Sequence, residues 1–321
     1  MKILTLWVWA FWIATLQHIA KNHPEQEFLA YEKNEYSYNY MIEQRRNPYF
    51  FTDMIFEKNI VFVNDLDHIL PSIDIIILAI PNQFIRSSIR DIRPFLRPWV
   101  SFLNLSKWID NTTLFTVSDT IASELSDLDY SYSVLSGGMI AKELVDGKML
   151  GAQIGTSDRE KGEYIKYLFE SPTLHIRLTE SYKNIELYWA LKNIIALYVG
   201  YLEGKGYGFS TIGYELCTLL EELPHLISLL GGTQDIEFSE YALWGDIIAT
   251  CFWDSRNRYF WKLVGSGKTV EESLSLLQEE KKHAEGYETL KGVRTIIHKE
   301  SRLPAFQKIL DTFFHSISIS S

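Results

Sequence analysis

Lys192 stands in the middle of IELYWALKNIIALYVGYLEG, a helically spaced apolar stretch whose other charges, Glu186 and Glu203, lie near its ends. An ammonium in such surroundings is desolvated, which lowers its pKa and prepares it to pass a proton to a carbonyl oxygen. The same lysine could equally snorkel from a core helix with its head in water, and the pattern does not separate the two. Further on, Ser255, Arg256 and Asn257 set a hydroxyl, a planar cation and an amide side by side. Such a trio suits a phosphate, although an isolated RNR run reads as solvated surface. Lys107 follows the strand-like FLNL, at the edge where ligands approach a parallel sheet; alone it reads as a loop lysine. Asp246 follows Gly245 and precedes IIATCF, the spacing of a helix N-cap.

These groups need elements to hold them. The chain has 321 residues, 46% hydrophobic and 22% charged, enough for two domains with cores of their own. Its net charge of −10 argues against nucleic acid or an anionic membrane as the main partner. Two cysteines, Cys217 and Cys251, make neither a disulfide framework nor a CxxC site, and the eight histidines form no close pair. A reducing compartment, the cytoplasm, fits, and no metal is expected. The first half alternates strands with helices: KILTL, EFLAYEK, IDIIILAIP, VSFLNLS, YSVLSG, AQIGTS and HIRLTES are strands, with QFIRSSIRDIRPFL and REKGEYIKYLFES among the helices. Beyond about residue 182 the segments are long and helical. The expected architecture is an α/β fold, a Rossmann-like parallel-sheet domain over 1–182, followed by an all-α domain over 183–321.

Several short motifs, in order, resemble those of bacterial NAD(P)-dependent glycerol-3-phosphate dehydrogenases, over nearly the whole chain. LAIPNQFIR (78–86), NLSKWID (104–110), VLSGGMIAKEL (134–144), IELYWALKNIIALYVGYLEGKGYG (185–208), WGDIIATCFWDSRNRYFWKLVGSGKT (244–269) and HAEGYET (283–289) carry the resemblance, with ALKN and SRNR intact. Two departures stand out: Gly138 replaces a family proline, and Met139 a polar residue.

Against that pattern the nine tryptophans fall on family glycines. The dinucleotide fingerprint reads KILTLWVWAFWIA, with Trp7, Trp9 and Trp12 in its three glycine positions. Trp108, Trp189 and Trp261 stand at glycines of the later motifs, Trp99 in a Pro-Gly turn, and Trp244 and Trp253 at looser matches. The fingerprint glycines permit a tight turn, close approach of the backbone to a pyrophosphate, and helix–strand packing. Indoles there fill the phosphate space, yet the lysines, aspartate and arginines of the motifs survive. The expectation is a source that reads the UGA codon as glycine, printed with a code that reads it as tryptophan. Glycine at these sites also turns the signal-like apolar N-terminus into a strand, turn and helix.

The resemblance implies interconversion of dihydroxyacetone phosphate and sn-glycerol 3-phosphate with NAD(P)H, feeding glycerophospholipid synthesis. It implies Lys192 as the catalytic acid/base, and Lys107, Gly137, Met139, Asp246, Ser255, Arg256 and Asn257 at the substrate. Cofactor contacts fall to Trp7, Trp9, Ala10, Phe11, Trp12, Lys33, Lys107, Ala141, Arg256 and Glu285. Glu32 beside Lys33 leaves NADH against NADPH open, with a slight lean to NADPH. The expected partners are the small substrate and a homodimeric second copy, with no nucleic acid and no membrane insertion. Three alternatives stand behind this reading: a catalytically dead homologue if the tryptophans are real, a two-domain ketoacid reductase, and an exported or anchored protein.

Overall fold

The structure is a computed structural model, and it describes all residues except 7–9, 81–83, 107–108, 111–112, 238, 253–254, 280–284 and 319–321. They form two compact units, one of Met1–Lys107 with Val117–Ile185, the other of Trp108–Thr116 with Glu186–Ser321. The division thus falls three residues after the boundary expected from sequence, and an excursion from the α/β half joins the helical unit. Ile109 pairs antiparallel with Thr116, which closes that excursion on itself.

The first unit is one eight-stranded sheet. Its strands are β1 (Ile3–Leu6), β2 (Phe28–Tyr31), β3 (Ile60–Val63), β4 (Ile75–Leu78), β5 (Val100–Asn104), β6 (Tyr130–Gly137), β7 (Leu150–Thr156) and β8 (Leu174–Thr179). The order is β3-β2-β1-β4-β5-β6-β7-β8, parallel throughout except where β7 runs against β6. The ILTL of β1 and IIIL of β4 are wholly buried, as strands covered on both faces must be. The apolar N-terminus is therefore the middle of the sheet. Its continuation is α1 (Ala10–Asn22), which buries Trp12, Ile13, Leu16 and Ile19. Strand order reverses between β1 and β4, and in such sheets the crevice at the carboxyl ends of those strands is where a ligand sits. Among the described residues this unit has five α-helices besides α1: α2 (Glu35–Gln44), α3 (Ile85–Ile92), α4 (Val117–Glu124), α5 (Ala141–Val145) and α6 (Arg159–Phe169). Sequence reasoning missed β3, a four-residue strand whose alternate residues Ile60 and Phe62 alone are buried.

The second unit is helical: α7 (Tyr182–Gly204, its first turn belonging to the sheet unit), α8 (Phe209–Leu229), α9 (Asp246–Cys251), α10 (Arg256–Gly265), α11 (Val270–Glu279), α12 (Glu285–Lys299) and α13 (Pro304–Ser318). Among the described residues, no helix is long and apolar enough to cross a membrane. Helices α7 and α10 meet backbone to backbone. A Cβ on Gly200 or Gly204, one turn apart on α7, would strike the carbonyls of Arg258 or Lys262.

Trp99 precedes β5 with φ of 68° and 70% of its surface exposed. A side chain in this left-handed region costs roughly 1–2 kcal/mol that glycine escapes, while glycine adds unfolded-state entropy of about 0.5–1 kcal/mol. Trp99→Gly is expected to stabilise the chain by a net of about 0.5–1 kcal/mol. A urea midpoint that moves up at unchanged slope would show it, and a fall would contradict it.

Candidate active site

In the helical unit, α7 carries Lys192 at mid-length, with Leu191, Ile194 and Ile195 buried around it. The lysine does not snorkel: it is 4% exposed. Its Nζ forms an ion pair with Asp246 Oδ1, itself 3% exposed. A buried charge persists only when paired and hydrogen-bonded, so each group is the condition for the other. Asp246 is not an N-cap, as its sequence suggested. A π-helical turn, Tyr241–Gly245, leads into α9, and Gly245 occupies the cap position. The widened turn delivers Asp246 to the interior. Thr250, one turn along α9, donates to Asp246 Oδ1 at 3.4 Å. Asp246 Oδ2 is buried and has no hydrogen-bond partner among the described residues. An acceptor so placed is suited to a substrate hydroxyl. Burial pushes the nearby Cys251 thiol up to about 12, with Lys192 opposing and Asp246 assisting the shift.

The SRNR run separates on folding. Ser255 caps α10 by accepting the backbone N–H of Arg258. Arg258 makes a two-pronged pair with Glu203, at 2.7 and 2.8 Å, tying α10 to α7. Asn257 is buried, donating to Asn193 Oδ1 (3.1 Å) and accepting from the backbone N–H of Gly286 (3.0 Å). A Cβ on Gly286 would lie 2.7 Å from the Asn193 carbonyl. Three helices are thus locked together at the residue next to Lys192. Asn257 holds the framework in this structure rather than facing outward to a phosphate, whereas Arg256 is exposed on the first turn of α10. Trp189 lies one turn before Asn193, and its ring centroid is 5.9 Å from Lys192 Nζ. An indole therefore stands near the Lys192 ammonium.

In the sheet unit, Ala10 and Phe11 open α1 where β1 ends, the place for an anion at a helix N-terminus. Lys33 lies with Leu6, Tyr31 and Asp65 in a groove at the carboxyl ends of β1, β2 and β3. Those residues fit the adenosine half of a dinucleotide. Trp12 is buried against the sheet, its indole N–H without an acceptor among the described residues. Gly137 ends β6, where a Cβ would meet the Gly151 carbonyl at 2.6 Å, so strand pairing accounts for it. Met139 and Ala141 pack on the core cluster of this unit. Trp7, Trp9, Lys107, Trp108 and Trp253 lie outside the described residues, as does the side chain of Glu285.

Two family models match: the N-terminal part of NAD-dependent glycerol-3-phosphate dehydrogenase over residues 9–161, and the C-terminal part over residues 182–321. The chain belongs to that family. Members are NAD(P)-dependent oxidoreductases, and its cofactor is NAD(P)H. Family relatives include the Fusobacterium nucleatum glycerol-3-phosphate dehydrogenase [NAD(P)+], 28% identical over 83% of this chain and 78% of its own. The Staphylococcus epidermidis protein of the same description is 28% identical over 99% of this chain and 95% of its own. The fold matches the Coxiella burnetii glycerol-3-phosphate dehydrogenase with a TM-score of 0.80, at 18% identity over 96% and 98% of the two chains. The Saccharomyces cerevisiae enzyme matches at a TM-score of 0.84, with 20% identity over 96% and 94%.

Sequence reasoning did not single out Asn193, Thr250 or Glu203. Each had a signal: Asn193 adjoins Lys192, and Thr250 is four residues, one turn, beyond Asp246. Asn257 shares a helical period with the buried Phe260, Trp261 and Val264, which marks it as inward-facing.

Proposed function

We infer that the chain reduces dihydroxyacetone phosphate to sn-glycerol 3-phosphate, supplying the backbone of glycerophospholipids, and that it works in the cytoplasm, with a homodimer as its expected assembly. The buried Lys192–Asp246 pair with its orphaned carboxylate oxygen carries the reading. NAD(P)H, when bound, supplies a hydride for the carbonyl carbon. The proton for the carbonyl oxygen comes from the Lys192 ammonium, which Asp246 orients and keeps paired. Asp246 Oδ2 accepts from a hydroxyl of the substrate, and Thr250 steadies the same carboxylate. The Arg256 guanidinium is matched to a phosphate dianion through two parallel N–H donors, and Lys107, outside the described residues, is a further proposed substrate cation. Ala10 and Phe11 hold the pyrophosphate through backbone N–H groups, and Lys33 lies at the adenosine end.

This chemistry requires bare backbone at the fingerprint, so the working polypeptide carries glycine at the nine tryptophan positions. Three observations support that: the left-handed Trp99, the orphaned indole N–H of Trp12, and the indole of Trp189 against Lys192. Trp261 points the other way. It stacks on Phe313 at 5.1 Å and is well packed as a tryptophan, although its indole N–H also lacks a described acceptor.

A substrate panel tests the function. NADH and NADPH oxidation is followed by absorbance with dihydroxyacetone phosphate, then with a series of 2-ketoacids. Turnover is expected with the phosphorylated ketone. Turnover of ketoacids alone would sink the reading in favour of another two-domain reductase.

A further inference from the structure

The groove at the carboxyl ends of β1–β3 has a charge pattern that bears on which dinucleotide it accepts. Tyr31 closes β2, and Glu32 and Lys33 follow it directly. Glu32 is half-buried, and its Oε1 accepts the backbone N–H of Asn34 at 2.7 Å, which fixes the carboxylate at the strand end. It stands twenty residues after Trp12, the spacing at which a doubly wound fold places the acidic residue that accepts from an adenosine ribose hydroxyl. The lining adds Asp65 and Asp67, just after β3, and Asp91 near the end of α3. Lys33 is the one cation among the described lining residues, and no arginine is present there. A 2′-phosphate brings nearly two negative charges and is best held by a bidentate guanidinium. In this groove it would meet the three lining carboxylates of Asp65, Asp67 and Asp91, with Glu32 adjoining at the end of β2, and a single exposed ammonium. The Tyr31 hydroxyl already feels that field: its pKa is raised by burial first, then by Glu32, Asp65 and Asp67. The apolar lining from Leu66, Leu70, Ile92 and Phe95 suits an adenine ring equally in either cofactor, so the ribose substituent is what the groove can discriminate.

We propose that this groove selects NADH over NADPH, with Glu32 accepting from the adenosine ribose and Asp65 and Asp67 repelling a 2′-phosphate. The inference deepens the dehydrogenase reading, rests on it, and reverses the slight lean to NADPH drawn from Glu32 and Lys33 together. Dissociation constants for NADH and NADPH, measured by nucleotide fluorescence on the full chain with whichever residue its own cells insert at the nine positions, test it. NADH is expected to bind at least about tenfold more tightly, since like charges brought together cost binding. The ratio should narrow as salt rises, because exposed carboxylates are screened within about a Debye length. Asp65→Asn with Asp67→Asn should narrow it further by tightening NADPH, whereas Glu32→Ser should weaken NADH. Equal or tighter binding of NADPH, with both nucleotides bound, would overturn the preference and leave the dehydrogenase reading standing. Failure of both nucleotides to bind would overturn both.

Discussion

With glycine at positions 7, 9, 12, 99, 108, 189, 244, 253 and 261, the purified chain is expected to bind NADH and reduce dihydroxyacetone phosphate; with tryptophan there, it is expected to do neither. A pyrophosphate at the start of α1 depends on backbone N–H donors that a bulky ring at the fingerprint would cover. Each hydrogen bond to a charged group contributes about 1.5–3 kcal/mol. Losing two of them weakens binding by roughly a hundredfold or more. The indole of Trp189 beside Lys192 adds a second block, in the helical unit. Titration of both forms with NADH, and intact mass of the protein from its own cells, are the measurements. Tryptophan in the native protein, encoded by UGG, together with NADH binding by that form, would refute the proposal. Tryptophan without binding would instead mark a homologue that keeps the fold and has lost the reaction.

Replacing Lys192 by methionine in the binding-competent form is expected to lower kcat by about a thousandfold, within the range for removing a positioned proton donor. NADH affinity should stay within a factor of about two to three, because Lys192 is not among the residues lining the nucleotide groove. Either single loss, Lys192→Met or Asp246→Asn, leaves its partner buried without a counter-charge and should destabilise the chain by about 3–5 kcal/mol. The pair Lys192→Met with Asp246→Leu removes both charges, so it should recover most of that stability and none of the activity. Activity is compared at a temperature where circular dichroism shows every variant folded. A methionine variant that keeps a large share of its turnover would remove Lys192 from the mechanism.

Much of this arrangement is legible in the residues. The IIIL of β4 can only be a strand buried on both faces, and a lysine embedded in ALKNIIALYV must be either paired or exposed. Which of the two depends on Asp246, fifty-four residues away, and no local pattern announces the π-helical turn that carries it inward. The RNR run is equally silent about its surroundings. Local polarity suggests surface, but the α10 period turns Asn257 inward, and its partners come from α7 and α12. Strand β3 escaped because four residues with Val61 exposed show too little alternation to register. The assignment of Trp108–Thr116 to the helical unit is a tertiary fact, set by contacts that the flanking strand and helix do not encode.

Cys217 is exposed on α8 and Cys251 is sealed at the end of α9. A maleimide reagent will therefore label the first at once and the second only when α9 detaches from its neighbours. The slow second addition is a clock built into the chain. Its rate reports how often the helix bearing the counter-ion of Lys192 lets go, without any substrate, cofactor or introduced probe.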